Sequence, residues 1–266
     1  MMLALAIISA LLSPHSAQSA TPPLPPVESV LERMLERAQQ EGADQEMFKQ
    51  CYSYTRTRAT EYRNGDGELK NRKAKTRVNN PTLIPAVYHP RKSEREPAPS
   101  PGKSRPVSNT NTNFSGKAFE KSDFPLNDDL LKRFDFTVSG RDVINGRPAL
   151  VVDFKPASRK PPEQSIKDRF INKAGGRVWV DETDYAMVKA DLHLTEKVNV
   201  VGGLVGAVSK FTLFIERNRT PEGIWFIRKQ NWHLEGREVI VQRKVDFHEE
   251  YKDVQKVHDP EALQLR

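Results

Sequence analysis

The side chains that could move protons or hold a metal are few and scattered. The chain has six histidines. Three of them, His193, His233 and His248, fall in stretches that read as strands, mostly on the polar face. Asp191 stands two residues before His193, which in a strand puts both on one face and offers half of a metal site. A metal needs more converging ligands than that pair, so isolated surface histidines are the expectation. His248-Glu249-Glu250 lacks the second histidine of the H-E-x-x-H spacing. No G-x-S-x-G, P-loop or G-x-G-x-x-G occurs. Cys51 is the single cysteine, so no internal disulfide or Cys-rich zinc site can form. A small buried residue at the start of a strand is its expected role. The reading is therefore non-enzymatic, with no catalytic residue, no metal and no cofactor.

These residues sit in a polar, basic chain of 266 residues, 37% hydrophobic and 29% charged, with a formal net charge of +7 and a pI near 9.4. The Lys and Arg residues alternate with acids along the chain, as on solvated strand faces. The balance leaves room for contact with a membrane surface rich in anionic head groups. Met1 to Leu12 is nearly all apolar, and Ala17-Gln18-Ser19 suits a small-x-small cut. Residues 1–20 thus read as a signal peptide, although no Lys or Arg precedes the apolar run. An exported, periplasmic protein is expected, and export argues against a nucleic-acid partner.

The elements follow from periodicity. Residues 21–26 (T-P-P-L-P-P) form a stiff linker. Val27, Val30, Leu31, Met34, Leu35 and Ala38 recur at helical steps. Gly42 is expected to end or interrupt that helix, with another turn over Asp44 to Gln50. Cys51 to Tyr62 alternates and is rich in Tyr and Thr, Asn64 to Gly67 is a hairpin turn, and Glu68 to Val78 returns as a charged edge strand. Residues 79–116 carry seven prolines among Ser, Asn, Lys and Arg, and read as a flexible insertion. A short helix is expected through Leu126 to Leu131. From Phe134 onward about seven antiparallel strands are expected, with turns at Ile144–Arg147, Glu182–Asp184, Pro221–Gly223 and Glu235–Glu238. Residues 256–266 read as a tail. The fold class is mainly β (α+β): one curved antiparallel sheet covered on one side by an N-terminal amphipathic helix and short helices.

Val198 to Ser209 (V-N-V-V-G-G-L-V-G-A-V-S) is uncharged and carries three glycines. It is too short to span a bilayer as a helix. Its glycines suit a bend, either a packed β-corner or the small-residue wall of a binding site.

Three motifs carry a family likeness: G-R-D-V-I-N-G-R-P-A-L-V-V-D-F-K-P at 140–156, G-G-R-V-W-V-D-E-T-D-Y-A-M-V-K-A-D-L at 175–192, and G-I-W-F-I-R at 223–228. Together they resemble the strand–turn pattern of the bacterial LolA/LolB-like lipoprotein-sorting superfamily, over roughly residues 27–78 and 117–255. The resemblance implies one domain over residues 27–255, an unclosed barrel of about eleven strands, and an apolar cavity for acyl chains. The partner would be a lipid or an acylated lipoprotein, and a monomer is expected. Chosen by strand face, the expected ligand-binding residues are Val188, Leu192, Val200, Leu204, Val205, Phe214 and Trp225. A cell-envelope interaction or sensor module on the same fold is the alternative. An enzyme would need His193 or His248 to meet acidic partners in a cleft.

Overall fold

A computed structural model describes residues 22–81, 127–200, 206–238 and 240–264. The leader expected at 1–20 and almost all of the insertion expected at 79–116 lie outside the described residues. Among the described residues ten strands form one sheet: β1 (Tyr52–Asn64), β2 (Leu69–Asn79), β3 (Phe134–Ile144), β4 (Arg147–Pro156), β5 (Ala174–Asp181), β6 (Met187–Leu194), β7 (Val198–Val200), β8 (Gly206–Arg219), β9 (Trp225–Glu238) and β10 (Val241–Lys256). Their order is β2-β1-β10-β9-β8-β6-β5-β4-β3, with β7 paired to β8, and every pairing is antiparallel. The sheet is curved and unclosed, since β2 and β3 are its two edges. Among the described residues four helices accompany it: α1 (Val27–Cys51), α2 (Asp128–Leu131), α3 (Ile166–Ile171) and α4 (Pro260–Gln264). Among the described residues no helix is long and apolar enough to cross a membrane.

α1 runs unbroken through Gly42, contrary to the expected stop. The glycine costs about 1 kcal/mol relative to alanine, and packing on both sides of it offsets that. Val30 and Met34 lie against Leu150, Val152 and Val180 near one edge of the sheet. Phe48 stacks on Phe226 at 4.3 Å and on Tyr54 at 5.0 Å near the other. An Arg37–Asp44 ion pair spans the glycine on the helix, and Arg217 Nη1 donates to Glu41 at 2.6 Å.

β9 also runs further than expected, through Glu235–Glu238, and β10 begins only at Val241. The cause is pairing on both sides: Gly236 sits opposite Val208 of β8 and Arg243 of β10, so its backbone is held by two neighbours. α3 has no counterpart in the sequence reading. Ser165 caps it, its hydroxyl accepting from the Asp168 N–H at 3.1 Å. That Ser-x-x-Asp spacing is a recognised helix-start signal. Part of the expected tail is also ordered, as α4.

The V-D-E-T-D-Y turn is built around Asp181, which is fully buried. Its carboxylate accepts from Arg147 Nε and Nη2 at 2.6 and 2.8 Å and from the N–H groups of Thr183 and Asp184 at 2.9 and 3.1 Å. Burial alone would raise its pKa, but these four donors hold the carboxyl below the usual range. Trp225 Nε1 donates to Asp184 at 2.9 Å and so ties the β8–β9 end to the same turn.

Candidate functional site

Residues directly opposite each other in an antiparallel pair share a face of the sheet, so the registers can be followed from edge to edge. Val138, Val152, Val178, Ala190, Ile215, Gln230, Glu249, Arg58 and Lys75 form one continuous row. Its β3–β5 part packs beneath α1, which defines the row's side as the inner face. A neighbouring row on that face runs Leu192, Leu213, Trp232, Phe247, Thr60 and Lys73. The second row is apolar from β6 to β10, whereas the first turns polar at Gln230 of β9 and Glu249 of β10, and both are polar at β1 and β2.

The apolar part is a floor of Phe211, Leu213, Trp232, Leu234, Val245 and Phe247, joined by Val198 and Val208. Trp232 and Phe247 stack with centroids 5.5 Å apart and planes 10° from parallel. Period-2 alternation in β8, β9 and β10 puts these side chains on one face. α1 packs elsewhere. Among the described residues, the members of this cluster and its partly buried neighbours are strand residues, except Phe170 of α3.

Beside the floor lies a polar patch. Glu249, which is 3% exposed, accepts from Arg56 Nε at 2.5 Å and from Arg58 Nε and Nη2 at 3.2 and 3.0 Å. Burial alone would weaken the Arg56 cation, yet the Glu249 hydrogen bond raises its pKa. Burial first, and the Glu249 charge second, push the Tyr251 phenol well above its ordinary value. The Arg58 guanidinium lies 5.7 Å from the Phe247 ring centroid, so the patch and the floor touch.

Two open clefts lie away from the floor. One, of about 380 Å³, is lined by Tyr52, Thr220, Glu222, Phe226 and Lys256 among others. Lys256 Nζ lies 2.7 Å from Glu222, and the Tyr52 hydroxyl also donates to Glu222. Lys256 first and then Tyr52 draw the Glu222 pKa down to about 2, while burial and Glu222 push Tyr52 up to about 12. The other, of about 650 Å³, lies between the polar side of α1 and the β5–β6 turn, with Arg33, Glu36, Asp184 and Tyr185 on its walls. Its opposite charges are interleaved.

The structure separates the residues expected to bind ligand. Leu192 packs against the floor. Phe214 lies on the outer face, opposite Asp191, with Lys189 Nζ 5.7 Å from its ring. Val188 and Trp225 are buried together with Ala186, beside Ile144. The side chain of Val200, and Leu204 and Val205 entirely, lie outside the described residues. The described ends of the glycine-rich stretch pair as β7 and β8, Val198 with Val208 and Val200 with Gly206, and both Val198 and Val208 are buried. Arg56, Arg58 and Glu249 were missed because a charge in an alternating strand reads as solvent-facing until its strand partner is known.

The histidines stay apart. His193 is exposed, and His248 Nδ1 meets Asn231. His233 meets Asp246 at 2.6 Å and Glu235 at 2.9 Å. It shares a face with Thr212 and Asp246, the outer one, and lines neither cleft. Among the described residues no group of three His, Cys, Asp or Glu side chains could hold a metal ion.

Comparison with family models and with curated proteins gives no match. Among solved structures, the chain is similar to a DUF1329 family protein from Desulfovibrio piger at 13% identity, covering 88% of this chain and 94% of that one, with a TM-score of 0.34. It is similar to a putative outer membrane lipoprotein-sorting protein domain from Vibrio parahaemolyticus at 14% identity, covering 85% and 93%, with a TM-score of 0.35. A LolA superfamily protein from Nitrosomonas europaea matches at 12% identity over 88% and 96%, with a TM-score of 0.31. The last two carry the description of the superfamily that the sequence motifs resemble. At such TM-scores the likeness does not reach to a site, a ligand or an activity.

Proposed function

We propose that the protein is a non-enzymatic carrier that holds the acyl chains of a lipid or an acylated protein along the inner face of its open sheet. One observation supports this above the others: among the described residues, the largest apolar cluster of the inner face, around Trp232 and Phe247 and at most 9% exposed, is built from strand residues joined by Phe170 of α3, while the long helix packs elsewhere. Acyl chains would enter by partition, at about 25 cal/mol per Å² of apolar surface removed from water. An exported, periplasmic location belongs to the same reading and rests on the apolar run at residues 1–12.

Brominated fatty acids quench tryptophan fluorescence only at short range, which makes a test specific to the face. Among the three tryptophans, Trp232 lies on the floor, while Trp179 packs with Ala149 and Val151 on the outer face. Quenching that disappears in Trp232→Phe and persists in Trp179→Phe supports the carrier. No saturable quenching, or quenching unchanged in Trp232→Phe, rejects it.

A further inference from the structure

The cations of β2 fall into two groups. Lys70 pairs with Glu68 at 2.8 Å and Arg72 with Glu61 at 3.5 Å. Lys73, Lys75 and Arg77 have no carboxylate partner among the described residues, and they occupy alternate positions, so they share one face. The registers assign that face: Lys73 lies opposite Thr60, Lys75 opposite Arg58 and Arg77 opposite Arg56. All three are exposed and stand on the inner side. With Arg56 and Arg58 they make a row of five cations at the β2 rim, and among the described residues Glu249 is the carboxylate that pairs with two of them.

Edge strands often carry lysines that prevent pairing with other chains. That role asks for charge at the edge but not for one face, whereas here the cations without carboxylates are all on the face that carries the apolar floor. Lys73, Thr60, Phe247, Trp232 and Leu213 lie in one row. With strands about 4.8 Å apart, Trp232 is roughly 14 Å inward from Lys73. Phosphate at the rim and chain on the floor would both be met within the length of one lipid.

We infer that the inner face selects amphiphiles with an anionic head group, held by Arg58, Lys73, Lys75 and Arg77 while the tail lies toward Trp232. This rests on the carrier reading above and adds the class of cargo. Charge-assisted hydrogen bonds from Lys and Arg to phosphate oxygens supply the preference.

The test is native mass spectrometry of the purified protein with dihexanoyl phosphatidylglycerol and dihexanoyl phosphatidylcholine, which share identical tails, and with inorganic phosphate. The expected result is a one-to-one complex favouring phosphatidylglycerol by about tenfold or more. Lys73→Gln/Lys75→Gln/Arg77→Gln should abolish that preference and keep phosphatidylcholine binding. Lys70→Gln/Arg72→Gln, which removes cations already paired, should keep the preference. Equal binding of both lipids overturns the inference and leaves the carrier standing. Binding of neither removes both. Inorganic phosphate that competes as well as the lipid overturns the amphiphile. Attachment to phosphatidylglycerol vesicles without a one-to-one complex overturns selection at the inner face.

Discussion

Glu249→Gln is expected to destabilise the protein by about 2 kcal/mol. The carboxylate is 3% exposed and accepts three hydrogen bonds from two guanidinium groups. Removing one partner from a buried ion pair costs about 3–5 kcal/mol, because the other charge is left uncompensated. Here the side chains left behind, Arg56 and Arg58, are 33% and 38% exposed. Water can take over part of what the carboxylate supplied, which lowers the cost to about 2 kcal/mol. Glutamine preserves volume and one acceptor oxygen, so no cavity adds to the figure. Urea unfolding followed by tryptophan fluorescence measures the change, which should appear in the midpoint with an unchanged slope. Repeating it in Arg56→Gln/Arg58→Gln should give a much smaller loss, since no cation is then orphaned, and a coupling above about 1 kcal/mol. A loss below about 0.5 kcal/mol in the parent protein, or an equal loss in both backgrounds, would refute the ion-pair account.

Other outcomes can be checked with the same equipment. Gly42→Ala should stabilise the protein by about 1 kcal/mol in urea, because the helix is continuous there and a Cβ at this position meets nothing within 4 Å. Gly176→Ala should cost about 3 kcal/mol or more, since its Cβ would lie 2.1 Å from the Asp191 carbonyl oxygen and its φ is +153°. Amide exchange should then rise along the β5–β6 pairing. For Glu222 the folded pKa near 2 lies below the ordinary value of 4.5. Its contribution is therefore present above pH 4.5 and lost as pH falls from there toward 2. Glu222→Gln should flatten the loss of stability across that window and leave the slope above pH 5 unchanged.

The legible part of the fold was the part written in local pattern. Asn145-Gly146 announced the β3–β4 hairpin, and Asn145 does take φ +51°. The alternation of Ala186, Val188 and Ala190 announced β6, and the run of charges in Lys70 to Arg77 announced an edge. The continuation of α1 past Gly42 was not legible, because what holds it is Phe48 stacked on Phe226, a contact with a distant strand. The inner face was not legible for the same reason. Parity says that Arg58 and Thr60 share a side, but only the pairing with Glu249 and Phe247 says which side that is. Val188 and Trp225 lie beyond the register shifts at Trp179/Val180 and Glu216/Arg217, where counting by twos fails, and Phe214 lies on the outer face because the pairing sets Leu192 opposite Leu213.

The pairing of β1 with β10 also fixes an order of events during synthesis. Arg56 and Glu249 are 193 residues apart in the chain, so the N-terminal hairpin has no second neighbour until almost the last strand has been made. Contacts of such long range form slowly. The sheet is therefore incomplete on a chain still leaving the ribosome. During that wait β1 and β2 expose bare backbone on both sides, and the lysines and arginines along them keep the hairpin soluble and unattractive to other nascent strands. A chain terminated before β10 would lose both the last strand and the carboxylate that neutralises Arg56 and Arg58, leaving a basic hairpin unattached to the rest of the sheet.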